Sequence, residues 1–173
     1  MAKLSVGSEF PKGVEFKYIP FTKEAAGITA CGVPTTLDLD KELAGKKIVI
    51  VAVPGAFTPT CMINHIPPFG EKLDELKKKG VDDVIVISAN DPYVLSAWGK
   101  ALKLDHKLKF ASDPNAAFSV ANDLSLDGTA LGLGIRTWRY LMIVDNGKIS
   151  LLNIEPDPTK VTNTGVDAAL AAL

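Results

Sequence analysis

Cys61 closes the segment Pro54-Gly-Ala-Phe-Thr58-Pro-Thr-Cys61, which lies where an apolar run ends and a helical pattern begins. Thr58 is a favoured N-cap, Pro59 suits the first helical position, where its missing N–H costs nothing, and Cys61 falls at the third. The spacing predicts a sulfur in the first helical turn, where unpaired backbone N–H groups and the positive end of the helix dipole favour a thiolate. Lowering a cysteine pKa from about 8.5 to about 6 requires roughly 3.4 kcal/mol, whereas a helix terminus contributes at most ~2 kcal/mol. A second donor or cation is therefore needed. Among 19 basic residues only Arg136 and Arg139 are arginines, and Arg139 sits within the apolar run TWRYLMIV (137–144). A guanidinium there is a fixed, permanently charged donor and the candidate partner of Cys61. The ordinary alternatives are an arginine snorkelling from a strand end and a cysteine acting as a small buried hydrophobe. His65, four residues after Cys61, has two readings as well: facing the thiolate, or a structural role, which the nearby Pro67 favours.

The elements that must hold these residues read as alternating strands and helices. KKIVIVAV (46–53) and DDVIVISA (82–89) are continuous β-branched runs of the kind found in strands buried on both faces. Between them, 59–79 reads as a helix broken by Pro67-Pro68, with Phe69, Leu73 and Leu76 on one face and Gly80 closing it. A second helix is expected from Pro92 to Leu104, capped by Asp91 and turning Val94, Leu95, Trp98 and Leu102 inward. LKFASDP (108–114) leads to a short helix at 114–121, and the strands 137–144 and 148–154 flank the hairpin signal Asp145-Asn146-Gly147. A last helix fits 165–173, and weaker signals for two edge strands lie at Val14–Ile19 and Thr35–Leu39. This order implies an α/β layer structure with a mixed sheet.

With 173 residues and 47% hydrophobic content, the chain is expected to form one domain over residues 1–173. The net charge of −1 carries no electrostatic footprint for nucleic acid or an anionic membrane. No stretch approaches the roughly 20 apolar residues that span a bilayer. The start MAKLSVGSEF lacks the apolar core of a secretory signal, so a soluble, intracellular chain is expected. Two cysteines and two histidines make neither a disulfide scaffold nor a zinc cluster, and no structural metal is expected.

The segment Pro54 to Cys61 resembles the P-x-x-x-T-x-x-C signature of peroxiredoxins, and its continuation through His65 and Pro67 resembles their type II, peroxiredoxin-five-like (redoxin) branch. The likeness extends through VISANDPYVLSAWGKA (86–101), FASDPNAAF (110–118), LGLGIRTWRYLMIVDNGKI (131–149) and LLNIEPD (151–157). It implies a thioredoxin-like fold with a central mixed sheet flanked by helices, in agreement with the element order. It also implies a thiol peroxidase that uses no metal or organic cofactor, acts on hydrogen peroxide or alkyl hydroperoxides, and is recycled by thioredoxin or a related dithiol protein. On the same resemblance Cys61 is the peroxidatic cysteine, Thr58 supplies a hydroxyl to thiolate and peroxide, Pro54 shields the site, and Arg139 activates the sulfur. Met62 departs from the serine usual after that cysteine. Cys31, in the turn-like GITACGVP (27–34), is similar in context to the fungal alkyl hydroperoxide reductase branch, which implies a resolving cysteine shared between two subunits of a homodimer. The C-terminal Ala171-Ala172-Leu173 lacks the basic middle residue of a peroxisomal signal, which favours the cytoplasm over the peroxisome. Two rival functions are a cysteine hydrolase using His65 or His106 as base, and a non-catalytic redox sensor.

Overall fold

Val49, Val51 and Val53 point to one side of the strand Lys47–Ala52 and Ile48, Ile50 and Ala52 to the other, and both sets are buried in separate apolar clusters. That two-sided burial explains the unbroken apolar run. The computed structural model describes residues 4–173; the first three residues of the expected signal-free start lie outside the described residues. Seven strands form the main sheet: β1 Glu15–Tyr18, β2 Thr35–Asp38, β3 Lys47–Ala52, β4 Asp83–Ser88, β5 Lys109–Ser112, β8 Tyr140–Asp145 and β9 Lys148–Ile154. Their order is β2-β1-β5-β4-β3-β8-β9. β3, β4 and β5 are parallel and the remaining pairs antiparallel, so the sheet is mixed, as expected. β6 Ser125–Asp127 and β7 Ile135–Thr137 form a separate two-stranded ribbon that the sequence patterns did not announce.

Three expectations need correction. β1 is not an edge: Phe16 packs into the core, and the strand lies between β2 and β5, leaving β2 outermost. The run 137–144 is not one strand. Thr137 pairs with Ser125 in the ribbon, the Trp138 N–H donates to the Leu124 carbonyl, and the main sheet resumes only at Tyr140. Arg139 therefore occupies the crossover between two sheets.

The broken helix is also organised differently. From Pro59 the chain is helical, but Cys61–His65 is a π turn, closed by the Ile66 N–H on the Cys61 carbonyl at 3.3 Å. Pro67 has no N–H to continue a four-residue ladder, and its ring would press on the carbonyl four residues back; the widened turn relieves this. Pro67-Pro68 then begin the new helix α1 Pro67–Glu71, followed by α2 Leu73–Lys78, with Phe69, Leu73 and Leu76 all buried. Asp91 caps α3 Pro92–Ala101 by accepting from the Tyr93 and Val94 N–H groups, as its side chain and position predict. Leu95 and Trp98 are fully buried, while Val94 and Leu102 are only half-buried. Asn146 and Gly147 take φ of 47° and 81°, the geometry of the expected tight hairpin turn. α4 Val166–Ala172 is the last helix. Among the described residues, no helix is long and apolar enough to cross a membrane.

Candidate active site

Cys61 follows the C-terminal end of β3, the strand at which the parallel part of the sheet meets antiparallel β8. The intervening loop is pinned by side chains that bond its backbone. The Asn90 side-chain oxygen accepts from the Ala56 N–H at 2.9 Å, and the Thr58 hydroxyl donates to the Gly55 carbonyl at 2.8 Å. A Cβ at Gly55 would sit 3.1 Å from the Thr58 methyl and 3.3 Å from Arg136, so the tight loop favours glycine there. The Thr58 carbonyl accepts from the Met62 N–H at 2.9 Å, which opens the helix at the expected residue. The Thr58 hydroxyl, however, caps no N–H. Its proton goes to the Gly55 carbonyl rather than to the sulfur.

Cys61 is 0% exposed, within the apolar cluster that also holds Val53, Ile66 and Phe69. Burial alone would suit an inert apolar cysteine. The Arg139 guanidinium, itself only 2% exposed, contradicts that reading: its Nη2 donates to Cys61 Sγ at 3.3 Å. A buried cation held against a sulfur is what stabilises a thiolate. Two further bonds fix the guanidinium, from Nε to the Pro158 carbonyl and from Nη1 to His65 Nδ1, each at 2.8 Å. Arg136 lies apart from the sulfur, donating through Nε to the Leu133 carbonyl and through Nη1 to that of Pro54. An open cleft of about 380 Å³, lined by Pro54, Thr58, Leu126, Leu131, Leu133 and Arg139 among others, leads to this arginine.

His65 is buried, and Nε2 lies 2.9 Å from the Thr164 carbonyl, which fixes that nitrogen as the donor and Nδ1 as the acceptor. Burial pushes its pKa down, the Thr164 carbonyl pushes it up, the Arg139 charge pushes it down again, and the result is about 4. This value lies below the ordinary value near 6.5, so the unfolded chain takes up the proton first. The neutral ring contributes its full stabilisation above about pH 6.5 and loses it as pH falls towards 4. The gap corresponds to something on the order of 3 kcal/mol. Urea unfolding should thus show stability falling between about pH 7 and pH 4.5. A level profile there would contradict a buried neutral ring.

Behind His65, the Glu155 carboxylate accepts the Thr162, Asn163 and Thr164 N–H groups and both threonine hydroxyls, at 2.6–3.0 Å. Burial raises its pKa, but these bonds, led by the Thr162 hydroxyl, more than offset that and hold it at about 2. The ionised carboxylate ties the loop around Thr164 against the site.

The structure thus brings together Cys61 and Arg139, and places Pro54 and Thr58 on the cleft beside them. Cys31 is not among them: it is exposed in the coil before β2, and both cysteines are free. Met62 gains a partner the sequence did not reveal, accepting the indole N–H of buried Trp98 on its sulfur at 3.0 Å. Neither histidine serves a cysteine hydrolase. Both nitrogens of His65 are engaged by Arg139 and Thr164, and His106 stands beside Asp105 and Phe21. His65 as the acceptor for Arg139, and Pro158, Thr164 and Glu155 behind it, were missed. The i+4 spacing of Cys61 and His65 was the one available signal.

A mixed sheet of this order, with a buried cysteine held by an arginine in the turn after its interior strand β3, defines a thioredoxin-like thiol protein. The model of the redoxin family matches residues 5–170. The chain is 56% identical over 166 residues to a protein of Lipomyces kononenkoae described as a peroxisomal peroxiredoxin, covering 95% of this chain and 98% of that one. It is 41% identical to the peroxiredoxin AHP1 of Chaetomium thermophilum, covering 100% of this chain and 96% of the relative. The crystal structure of reduced Prx3 of Vibrio vulnificus in complex with hydrogen peroxide superposes with a TM-score of 0.84 at 36% identity, covering 98% of both chains. The chain belongs to the redoxin family, as a type II peroxiredoxin of the fungal kind. It is accordingly a thiol-dependent peroxidase of antioxidant function.

Proposed function

We propose that Cys61 is the peroxidatic cysteine and that Arg139, Thr58 and Pro54 complete its site, with residues 1–173 serving as one catalytic domain. The observation that carries this reading is the bond from Arg139 Nη2 to Cys61 Sγ inside an otherwise apolar cluster. The Cys61 thiolate attacks the terminal peroxide oxygen; an S–O bond forms as the O–O bond breaks, and the leaving oxygen takes a proton and departs as water or an alcohol. Sulfur is oxidised to the sulfenic acid as the peroxide is reduced. Arg139 and the Cys61 N–H stabilise the charge moving along the O–O bond. The Thr58 oxygen, its own proton committed to Gly55, accepts from the peroxide O–H. Pro54 shields the sulfur from bulk water. The leucines of the cleft suit the organic part of a small alkyl hydroperoxide as well as hydrogen peroxide itself.

The sulfenic acid must be removed before a second peroxide carries it to sulfinic acid. Cys31 of a second copy is assigned that role, within a homodimer: its thiolate attacks the sulfenic sulfur, forming the disulfide and releasing water. Thioredoxin or a similar dithiol protein then reduces the disulfide. The strand order supports an intersubunit route, because β2, four residues after Cys31, lies four strand spacings from β3. At ~4.8 Å each this is roughly 19 Å, whereas a disulfide needs Cα atoms within about 7 Å. Mass spectrometry after one equivalent of peroxide, read with a non-reducing gel, tests both steps. The wild type should run as a disulfide-linked dimer, and Cys31→Ser as a monomer accumulating sulfenic or sulfinic Cys61. An internal Cys31–Cys61 bond would reject the intersubunit route, and undiminished thioredoxin-dependent turnover of Cys31→Ser would remove Cys31 from the cycle. Absence of turnover under excess reductant would instead favour a redox sensor. The cytoplasm is the proposed location and the peroxisome its rival, given the name of the Lipomyces relative; imaging of the tagged chain decides between them.

A further inference from the structure

We propose that Lys100 is a positioning residue for the second step of the cycle, holding the turn that presents Cys31 to the sulfenic Cys61 of another copy. The inference rests on the reading above that Cys31 resolves Cys61 between subunits. From Phe21 to Val33 the chain between β1 and β2 is exposed, except for half-buried Ala25, Ala30 and Gly32. A segment with so little buried surface opens at low cost unless something outside it ties it down. Its own bonds are local turns, from the Ala25 N–H to Thr22 and from the Ala30 N–H to the Gly27 carbonyl. Lys100, near the C-terminal end of α3, supplies the tie from outside. Its Nζ donates to the Gly27 carbonyl at 3.2 Å and to the Ala30 carbonyl at 2.6 Å.

These two carbonyls bracket one tight turn, and an ammonium carries three donors on a single atom, so one lysine takes both. The Ala30 carbonyl belongs to the peptide group that ends in the Cys31 nitrogen, and the bond therefore fixes the backbone where the cysteine begins. On the other flank a Cβ at Gly32 would sit 2.5 Å from Ile19 Cγ2, so only a glycine lets the chain after Cys31 close on that side chain. Cys31 is thus held on both sides while it stays exposed to a second copy. The choice of α3 as the anchor matters for symmetry. In a two-fold dimer each Cys31 faces the Cys61 of its partner, so both disulfides close only if the offset between the two turns within one subunit is fixed. α3 reaches both turns: Lys100 holds the residue before Cys31, and the Trp98 indole N–H donates to the sulfur of Met62, the residue after Cys61, at 3.0 Å.

The step served is the attack of the Cys31 thiolate on the sulfenic sulfur, in which the S–S bond forms as the S–O bond breaks and the oxygen leaves as water. Rapid mixing with one equivalent of hydrogen peroxide, followed by quenching, separates loss of the Cys61 thiol from appearance of the disulfide-linked dimer on a non-reducing gel. Lys100→Met keeps the length of the stem but has no donor. It should consume peroxide at the wild-type rate and form the disulfide roughly tenfold more slowly, the scale of loss when a reacting group is no longer held in place. Under excess peroxide the delayed sulfenic acid should then show more sulfinic Cys61 by mass spectrometry. Lys100→Arg, which can still donate to two carbonyls, should recover much of the disulfide rate. In a Cys31→Ser background Lys100→Met should leave the sulfinic fraction unchanged, since its effect runs through Cys31. Disulfide formation at the wild-type rate in Lys100→Met, an equal slowing of the peroxide step, or a further rise in sulfinic acid with Cys31 absent would overturn the proposal. Failure of the underlying reading looks different: the wild type itself would then form no disulfide-linked dimer, and Cys31→Ser would turn over undiminished.

Discussion

Cys61→Ser abolishes peroxide-driven NADPH consumption in a thioredoxin-coupled assay. The chain has two thiols, and it is Cys61 whose sulfur accepts from a buried guanidinium. Cys31 sits exposed in a coil, with no part in the Arg139 site. A serine hydroxyl at position 61 ionises far less readily than a thiol, and oxygen has no counterpart to the sulfur oxidation ladder that carries the cycle. The substitution is nearly isosteric inside a packed cluster, so circular dichroism should report a folded protein and the loss should belong to chemistry. Turnover near that of the wild type would end the assignment of Cys61, and with it the role given to Arg139.

The features legible in the sequence were those written in local patterns. The β-branched runs of β3 and β4 announce strands covered on both faces; Asp91 announces a cap by the side chain that fills it; Asn146-Gly147 announces a turn that needs positive φ at both residues. Cys61 and Arg139 stood out for a related reason, each being a residue type at odds with its surroundings. What could not be read was pairing across the chain. His65 meets Arg139 from 74 positions away and Thr164 from 99, and no periodicity encodes such a meeting. The π turn escaped because proline marks where a helix must change without stating how the turn before it rewinds. The ribbon of β6 and β7 escaped because its strands have three residues each, too few for alternation to show, and are joined through Gly128, Gly132 and Gly134. Arg139 reads as a strand residue because Thr137 and Trp138 continue the apolar pattern of β8, although the hydrogen bonds of Thr137 belong to a different sheet.

Arg139→Ala should lower the rate of the peroxide reaction about 10²–10³-fold, the usual loss when a preorganised donor to developing charge is removed. The effect has two parts that act in the same direction: the thiolate loses its buried counter-charge, and the breaking O–O bond loses a donor already in place. Truncation also strands two acceptors, the Pro158 carbonyl and His65 Nδ1, and a buried acceptor without a donor costs about 1–3 kcal/mol. Some loss of thermal stability is thus expected together with the loss of rate, and the rate must be measured well below the unfolding transition. Arg139→Lys separates the contributions, because an ammonium keeps the charge but cannot bond Pro158, His65 and Cys61 from one rigid plane. It should fall between wild type and Arg139→Ala. Arg136→Ala is the control: that side chain braces the Leu133 and Pro54 carbonyls at the cleft rim rather than touching the sulfur, so its loss should change the rate far less. If Arg136→Ala shows the large defect and Arg139→Ala does not, the activating cation has been placed on the wrong arginine.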